Sequence, residues 1–284
     1  MRYRFIDKQK KAWPVTLMCG VLNVSRSGYY DWTARGQSPH VSANHTLDRR
    51  IREIFAEHRQ RYGAPRITKT LHHEGLRCSE NRIGRRMRLL GLKAIQAKKF
   101  KVTTDSTHSK PVAPDLLEQD FRAEAPNQKW TSDITYVWTD EGWLYLAVVM
   151  DLYSRAIVGW SMNRRMTQRL VCDALSMALF RRGFPKGTIL HSDRGSQYCS
   201  KRYQRLIANN RLRCSMGRRA TCYDNAVTES FFHTLKVELV HRIPYTTRRM
   251  AKVSIFEYIE TYYNRQRRPS AIGHQIPIVF EQAA

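Results

Sequence analysis

The period of the hydrophobic positions changes along the chain, and the change divides it. In the first third, short apolar stripes recur at helical spacing. "WPVTLMCGVLNVSRSGYYDW" predicts a short helix from Val15 to Cys19, a turn around Gly20–Asn23, and a second helix capped by Ser25 that carries Arg26, Tyr29, Tyr30 and Trp32. "LDRRIREIFAEHRQ" is amphipathic, with Leu47, Ile51, Ile54 and Phe55 on one face. "RYGAPRITKTLHHEGLRCSENRIGRRMRLLGL" predicts another helical pair. Pro65 suits a first turn, Ile67, Thr70 and Leu71 form an inner face, and Gly75 ends the helix. Ser79 then caps a second helix in which Ile83, Met87 and Leu90 lie beside Arg82, Arg85, Arg86 and Arg88.

From Lys129 the pattern turns strand-like. "KWTSDITYVWT", the nearly continuous apolar run "WLYLAVVMDL" and "AIVGWSM" are separated by turns short enough to join antiparallel neighbours. "TQRLVCDALSMALFRRG" returns to helical period, with Leu175, Ala178 and Leu179 on one face. "GTILHSD" is a fourth strand, "SKRYQRLIANN" a helix and "LRCSMG" a fifth strand; "DNAVTESFFHTLKVELV" and "TTRRMAKVSIFEYIETYYNRQRR" are two closing helices. The order predicts an α/β fold, a mixed five-stranded sheet flanked by helices and preceded by a helical region. The expected organisation is a helical region over 1–97, with helix-turn-helix-like units at 12–35 and 62–92. A polar, Pro-containing linker follows over 98–127, then an α/β domain with C-terminal helices over 128–284.

Charge gives the helices a partner. The formal net charge is +25, from 49 Lys+Arg against 24 Asp+Glu. Residues 1–110 hold 24 basic and 8 acidic side chains, and residues 111–284 hold 25 and 16. So large an excess over the whole chain, interleaved with aromatics, points to nucleic acid. A basic second helix behind a tight turn is the layout that enters a DNA groove, which makes Arg26, Arg82, Arg85 and Arg86 candidate DNA contacts. No run of 18 apolar residues suggests a membrane span, and the basic N-terminus lacks the apolar stretch of a secretion signal. The six cysteines form no CxxC pair, so reduced thiols in a cytoplasmic protein are expected.

Within this basic chain three acids stand out. Asp133 lies mid-strand, Asp193 ends the fourth strand in "TILHSDRGSQY", and Glu229 sits in the helix after the fifth. Between them lie 59 and 35 residues. Any one alone reads as a cap, a turn or a salt bridge. Asp151 is assigned to that group, capping the "DLYSR" turn or pairing with Arg155. If the first and fourth strands are neighbours, Asp133 and Asp193 meet. Two carboxylates that close cannot both ionise unless a cation binds them. Hard oxygen ligands suit Mg²⁺ or Mn²⁺, and two such ions suit phosphoryl displacement. Gly195 allows a tight turn where a phosphate can approach. Asn225 and Lys236, four residues before and seven after Glu229, share its helix face. Asn225 is expected to bond a phosphate or support the carboxylate, and Lys236 to hold a phosphate.

"WTSDITYV", "HSDRGSQY" and "DNAVTESFFHTLKVEL" closely resemble the DDE motif of insertion-sequence transposases of the IS-three type, relatives of retroviral integrases. "MCGVLNVSRSGYYDW", "RYGAPRIT" and "YYNRQRRPSAIGHQIPIVFE" resemble that family's terminal regions, with Pro269 standing where many members carry His. The resemblance implies an RNase H-like core. It also implies Asp133, Asp193 and Glu229 as catalytic metal ligands, and metal-dependent DNA cleavage and strand transfer without a tyrosine nucleophile. The substrates it implies are the element's terminal inverted repeats and target DNA. Synapsis of two DNA ends makes a homo-oligomer on DNA the expectation from that mechanism, and the resemblance further implies an upstream-frame partner, or fusion with it, that contributes to end recognition. A non-catalytic DNA-binding regulator and an RNase H-like nuclease are the rival readings.

Overall fold

The computed structural model describes residues 1–34, 39–95, 113–217 and 225–283. The chain divides into two compact units, Met1–Lys93 and Ala94–Ala284.

The first unit is helical: α1 (Arg2–Gln9), α2 (Val15–Val21), α3 (Arg26–Ala34), α4 (Pro39–Glu57), α5 (Ala64–His73) and α6 (Glu80–Leu89). Ile6, Met18, Cys19 and Tyr29 bury together among α1, α2 and α3. Helix α2 runs two residues further than expected, through Gly20, and the chain reverses at Asn23 with φ 48°. A short amide side chain tolerates that left-handed backbone better than most residues do. Ile51, Ile54, Ile67, Leu71 and Ile83 are fully buried on α4, α5 and α6. The predicted punctuation is present. Pro65 sits in the first turn of α5, Gly75 adopts φ 82° just beyond its end, and Ser79 Oγ accepts the Arg82 N–H at 3.3 Å.

The second unit is built on β1 (Lys129–Val137), β2 (Leu144–Asp151), β3 (Ile157–Asn163), α7 (Gln168–Arg181), β4 (Ile189–Ser192), α8 (Lys201–Asn209), β5 (Arg213–Met216), α9 (Ala226–Glu238), α10 (Arg248–Glu257) and α11 (Pro277–Gln282). The strands lie in the order β3-β2-β1-β4-β5. The first three are antiparallel, and β1–β4 and β4–β5 are parallel. Strand β2 is apolar from Leu144 to Met150, Tyr145 apart, because both of its faces are covered. Ala147 and Val149 pack with α7 and α8 on one side, and Leu144, Leu146, Val148 and Met150 pack with α9 and α10 on the other. Helix α7 presses so closely on β3 that a Cβ at Gly159 would lie 2.2 Å from the Ala174 carbonyl oxygen.

Three features depart from expectation. The last long helix is broken in type: α10 passes into a π-helical turn, Tyr258–Tyr263. Beyond it, the Asn264 side chain accepts the Ile157 N–H at 2.9 Å and donates to the Ile157 carbonyl at 3.0 Å, satisfying the edge strand β3. The second half of the expected linker, 113–127, is also tied to the core. Leu117 is buried, Leu116 N–H donates to Ser215 Oγ at 2.8 Å, and Asn127 N–H donates to Asp151 Oδ2 at 2.8 Å. Residues 98–112 of that stretch, with Cys222 and Tyr223, lie outside the described residues. The five described cysteines are free thiols.

Candidate active site

Register places the first two carboxylates. Ser132 of β1 is the Cα partner of Ser192, the last residue of β4. Asp133 and Asp193 are the next residues on each, so they leave neighbouring parallel strands side by side. Alternation assigns their face: Trp130 packs with α7 and α8, while Thr131 and Asp133 turn to the opposite side, toward α9. There Thr131 Oγ1 and Thr228 Oγ1 meet at 2.6 Å, fully buried, with Glu229 the next residue on α9.

Helix α9 is fixed at both ends. At its start Asn225 is buried, accepting the Thr228 hydroxyl at 3.3 Å and donating to the Ser132 carbonyl at 3.4 Å. At its end Glu238 is buried against Arg267 at 3.0 Å and accepts the Tyr258 hydroxyl at 2.8 Å. The family-like C-terminal segment therefore anchors the helix that carries Glu229.

Asp133 lies in the field of the other two acids. Burial, then Asp193 and Glu229, push the Asp133 carboxyl well above the usual carboxylate range; the Ile134 N–H, at 2.7 Å, and Lys236 work against the rise. Burial also raises Glu229, although its side chain remains exposed at the surface. Lys236 is lowered by its own burial and drawn back up by Asp133. Asp193 Oδ1 accepts the Gly195 N–H at 2.8 Å, and a Cβ at Gly195 would lie 2.9 Å from that oxygen. The glycine thus makes room for the carboxylate itself. Arg194, immediately behind it, turns to donate to the Gly217 carbonyl at 2.6 Å. Among the described residues no three of His, Cys, Asp or Glu stand close enough to hold a metal ion as they are. Residues 218–224, which lead into α9 and Glu229, lie outside them.

The predicted DNA contacts separate. Arg26 and Arg85 are exposed, Arg26 over the Tyr30 ring. Arg86 forms a two-pronged pair with Asp48, and Arg82 donates to Asn44 Oδ1 at 2.9 Å, so both are engaged inside the helical unit. Asn225, expected to bond a phosphate or support the carboxylate, has its amide donating to the Ser132 carbonyl and accepting the Thr228 hydroxyl. Asp151 caps its turn as expected: it is fully buried and accepts the N–H groups of Tyr153 and Asn127 and the Trp130 indole. Thr131, Thr228 and Tyr198, whose buried hydroxyl lies 3.2 Å from Ser132 Oγ, were not singled out by sequence. Thr131 alone has a signal there, a polar residue in a strand otherwise fit for a core.

A mixed sheet in this order, with carboxylates where the pairing of its two central parallel strands ends, is the plan of an integrase-type polynucleotidyl transferase core. Residues 123–222 and 229–284 match integrase core domains, and residues 42–100 match an HTH-like domain. The chain is 47% identical over 283 residues to the transposase InsF for insertion sequence IS3A of Escherichia coli (strain K12), covering 99% of this chain and 98% of that one. It is 44% identical over 265 residues to an insertion element IS600 uncharacterized 31 kDa protein of Shigella sonnei, covering 93% and 97%. Among solved structures, the HTLV-2 integrase catalytic core domain in complex with magnesium is similar at a TM-score of 0.43 and 16% identity, over 56% of this chain and 99% of that one. The protein belongs to the IS3 family of insertion-sequence transposases. No helix among the described residues is long and apolar enough to cross a membrane.

Proposed function

We propose that this transposase cuts and joins DNA at Asp133, Asp193 and Glu229, acting as ligands for two Mg²⁺ or Mn²⁺ ions. The observation that carries the reading is the Ser132–Ser192 register, which sets Asp133 and Asp193 side by side opposite the helix of Glu229. The donor set fits the ions in kind: all three are hard carboxylates, burial disfavours charge on Asp133 and Glu229, and Asp193 adds repulsion at Asp133. When bound, the metal supplies Lewis-acid stabilisation of charge at phosphorus and activation of the attacking oxygen. Glu229, exposed in the first turn of α9, would be the third ligand.

Water attacks a phosphodiester at the element's end, the P–O3′ bond breaks, and the freed 3′-hydroxyl attacks a second phosphodiester in line. Bonds are exchanged one for one in the joining step, so no external energy source is needed. Lys236, half-buried beside Asp133, holds a phosphate next to the reacting one. Arg26 and Arg85, exposed on the second helices of their pairs, contact the terminal repeats. Joining two ends requires two copies on DNA, and the upstream-frame product completes end recognition. The reaction takes place in the cytoplasm, at the nucleoid.

The test is a cleavage and strand-transfer assay on labelled duplex carrying the element's own terminal repeat. Wild type, with the upstream-frame product fused, is expected to cut and join only with Mg²⁺ or Mn²⁺, and Asp193→Asn to do neither. Equal joining by both proteins would contradict the assignment.

A further inference from the structure

Past Ser132, β1 continues beyond the end of β4 and carries Tyr136 and Trp138 into the hairpin with β2. Tyr136, Trp138 and Trp143 form one continuous group. Trp143 meets Tyr136 edge-to-face at 5.0 Å and Trp138 at 4.8 Å. Yet these rings are 46%, 57% and 43% exposed. Cross-strand aromatics that only stabilise a hairpin gain by covering one another; these leave about half of their area in water.

The support beneath them is stiff. Gly142, at φ 96°, donates to the Thr139 carbonyl at 2.8 Å, and the Thr139 hydroxyl donates to the Gly142 carbonyl at 2.7 Å. Arg248, at the start of α10, donates its N–H to Glu141 Oε2 at 2.9 Å and its Nε–H to the Trp143 carbonyl at 3.0 Å. Asp140 N–H donates to the Tyr245 carbonyl at 3.0 Å. The hairpin tip is thus pinned to a helix, and the rings are held outward.

Alternation puts Tyr136 on the face of β1 opposite Asp133, and Lys236 links the two. Lys236 Nζ lies 4.9 Å from the Tyr136 ring centroid and is also in the field of Asp133. Tyr136 is three residues along β1 from Asp133, roughly 10 Å. The far end carries Asp140 and Glu141, the latter paired with Arg248. Flat, half-exposed ring faces beside a lysine suit bases.

We propose that Tyr136, Trp138 and Trp143 form a stacking platform for unpaired bases at the DNA end, with Lys236 holding the phosphate that leads from the platform to the carboxylates. This rests on the DNA-joining reading above and adds to it a requirement that the end be unpaired near the cut.

The test compares binding of the full chain to a blunt duplex and to the same duplex with a three-nucleotide unpaired tail, in Ca²⁺, with 2-aminopurine in the tail. Wild type is expected to prefer the tailed duplex roughly tenfold and to quench the probe. Trp138→Leu, which keeps apolar volume but cannot stack, loses the preference and the quenching, and Trp138→Phe retains both. Blunt-duplex affinity stays constant across the three proteins. A wild-type protein without tail preference, or a Trp138→Leu variant that keeps it, would overturn the platform. Asp193→Asn separates the two readings, since it is expected to abolish cleavage while leaving tail preference intact. Cleavage without tail preference would remove the platform alone, and tail preference without cleavage would remove the joining reading alone.

Discussion

The two units handle charge in opposite ways. In the helical unit, acids and bases are matched within the fold: Arg86 grips Asp48, and Arg50 reaches Glu53, Glu57 and Glu74. In the sheet unit, like charges are gathered, and Asp133 is pressed by burial, Asp193 and Glu229 at once. The same unit holds a matched pair as well, Glu238 with Arg267, so the gathering is local to one face of the sheet. Matched charges fix helices in place. Gathered like charges cost stability, and their persistence in a folded core marks a place built for something the chain does not itself contain.

The largest effect that separates the two kinds of charge is on activity. Asp133→Asn or Asp193→Asn is expected to lower strand cleavage on the order of a thousandfold, read as initial rates on end DNA, without loss of folding. Arg267→Met should do the reverse. It leaves Glu238 buried without its bonded partner and costs about 3–5 kcal/mol in urea unfolding. Gly159→Ala, which drives a Cβ into the α7 backbone, should cost about 1–3 kcal/mol by the same measurement. The smallest effect is in the helical unit. Hydrogen bonding to Arg86 lowers the Asp48 pKa, so its stabilisation is complete above the unfolded value near 3.9 and is lost as pH falls through the lower folded value. Asp48→Asn should remove about 1 kcal/mol at pH 7 and nothing below the folded pKa, read as thermal unfolding against pH. A constant difference across that range would show that the pair does not carry the effect.

Local chemistry was legible in the sequence wherever one residue sets the backbone or one period sets a face. Ser79, Pro65 and Gly75 mark the ends of helices without help from elsewhere. The unbroken apolar run of β2 announced a strand covered on both sides. The neighbouring of Asp133 and Asp193 was legible because strand order converts spacing into proximity. What stayed hidden depends on partners distant in the chain. Arg82 and Arg86 look alike with Arg85 in a basic helix, and only the packing of α4 against α6 shows that Asn44 and Asp48 engage two of the three. Asn225 reads as a free polar residue until the Ser132 carbonyl, 93 positions away, is found above it. The π-helical turn and the Asn264 clasp on β3 likewise answer to the sheet rather than to their own neighbours.

The most direct test of the gathered carboxylates is the thermal unfolding of metal-free wild type, Asp133→Asn and Asp193→Asn at pH 7.5, each with and without Mn²⁺. Both variants are expected to unfold at higher temperature than wild type when metal-free, because each removes a repelling charge. Mn²⁺ is expected to raise the unfolding temperature of wild type alone. Variants less stable than wild type and stabilised by Mn²⁺ to the same degree would contradict the account.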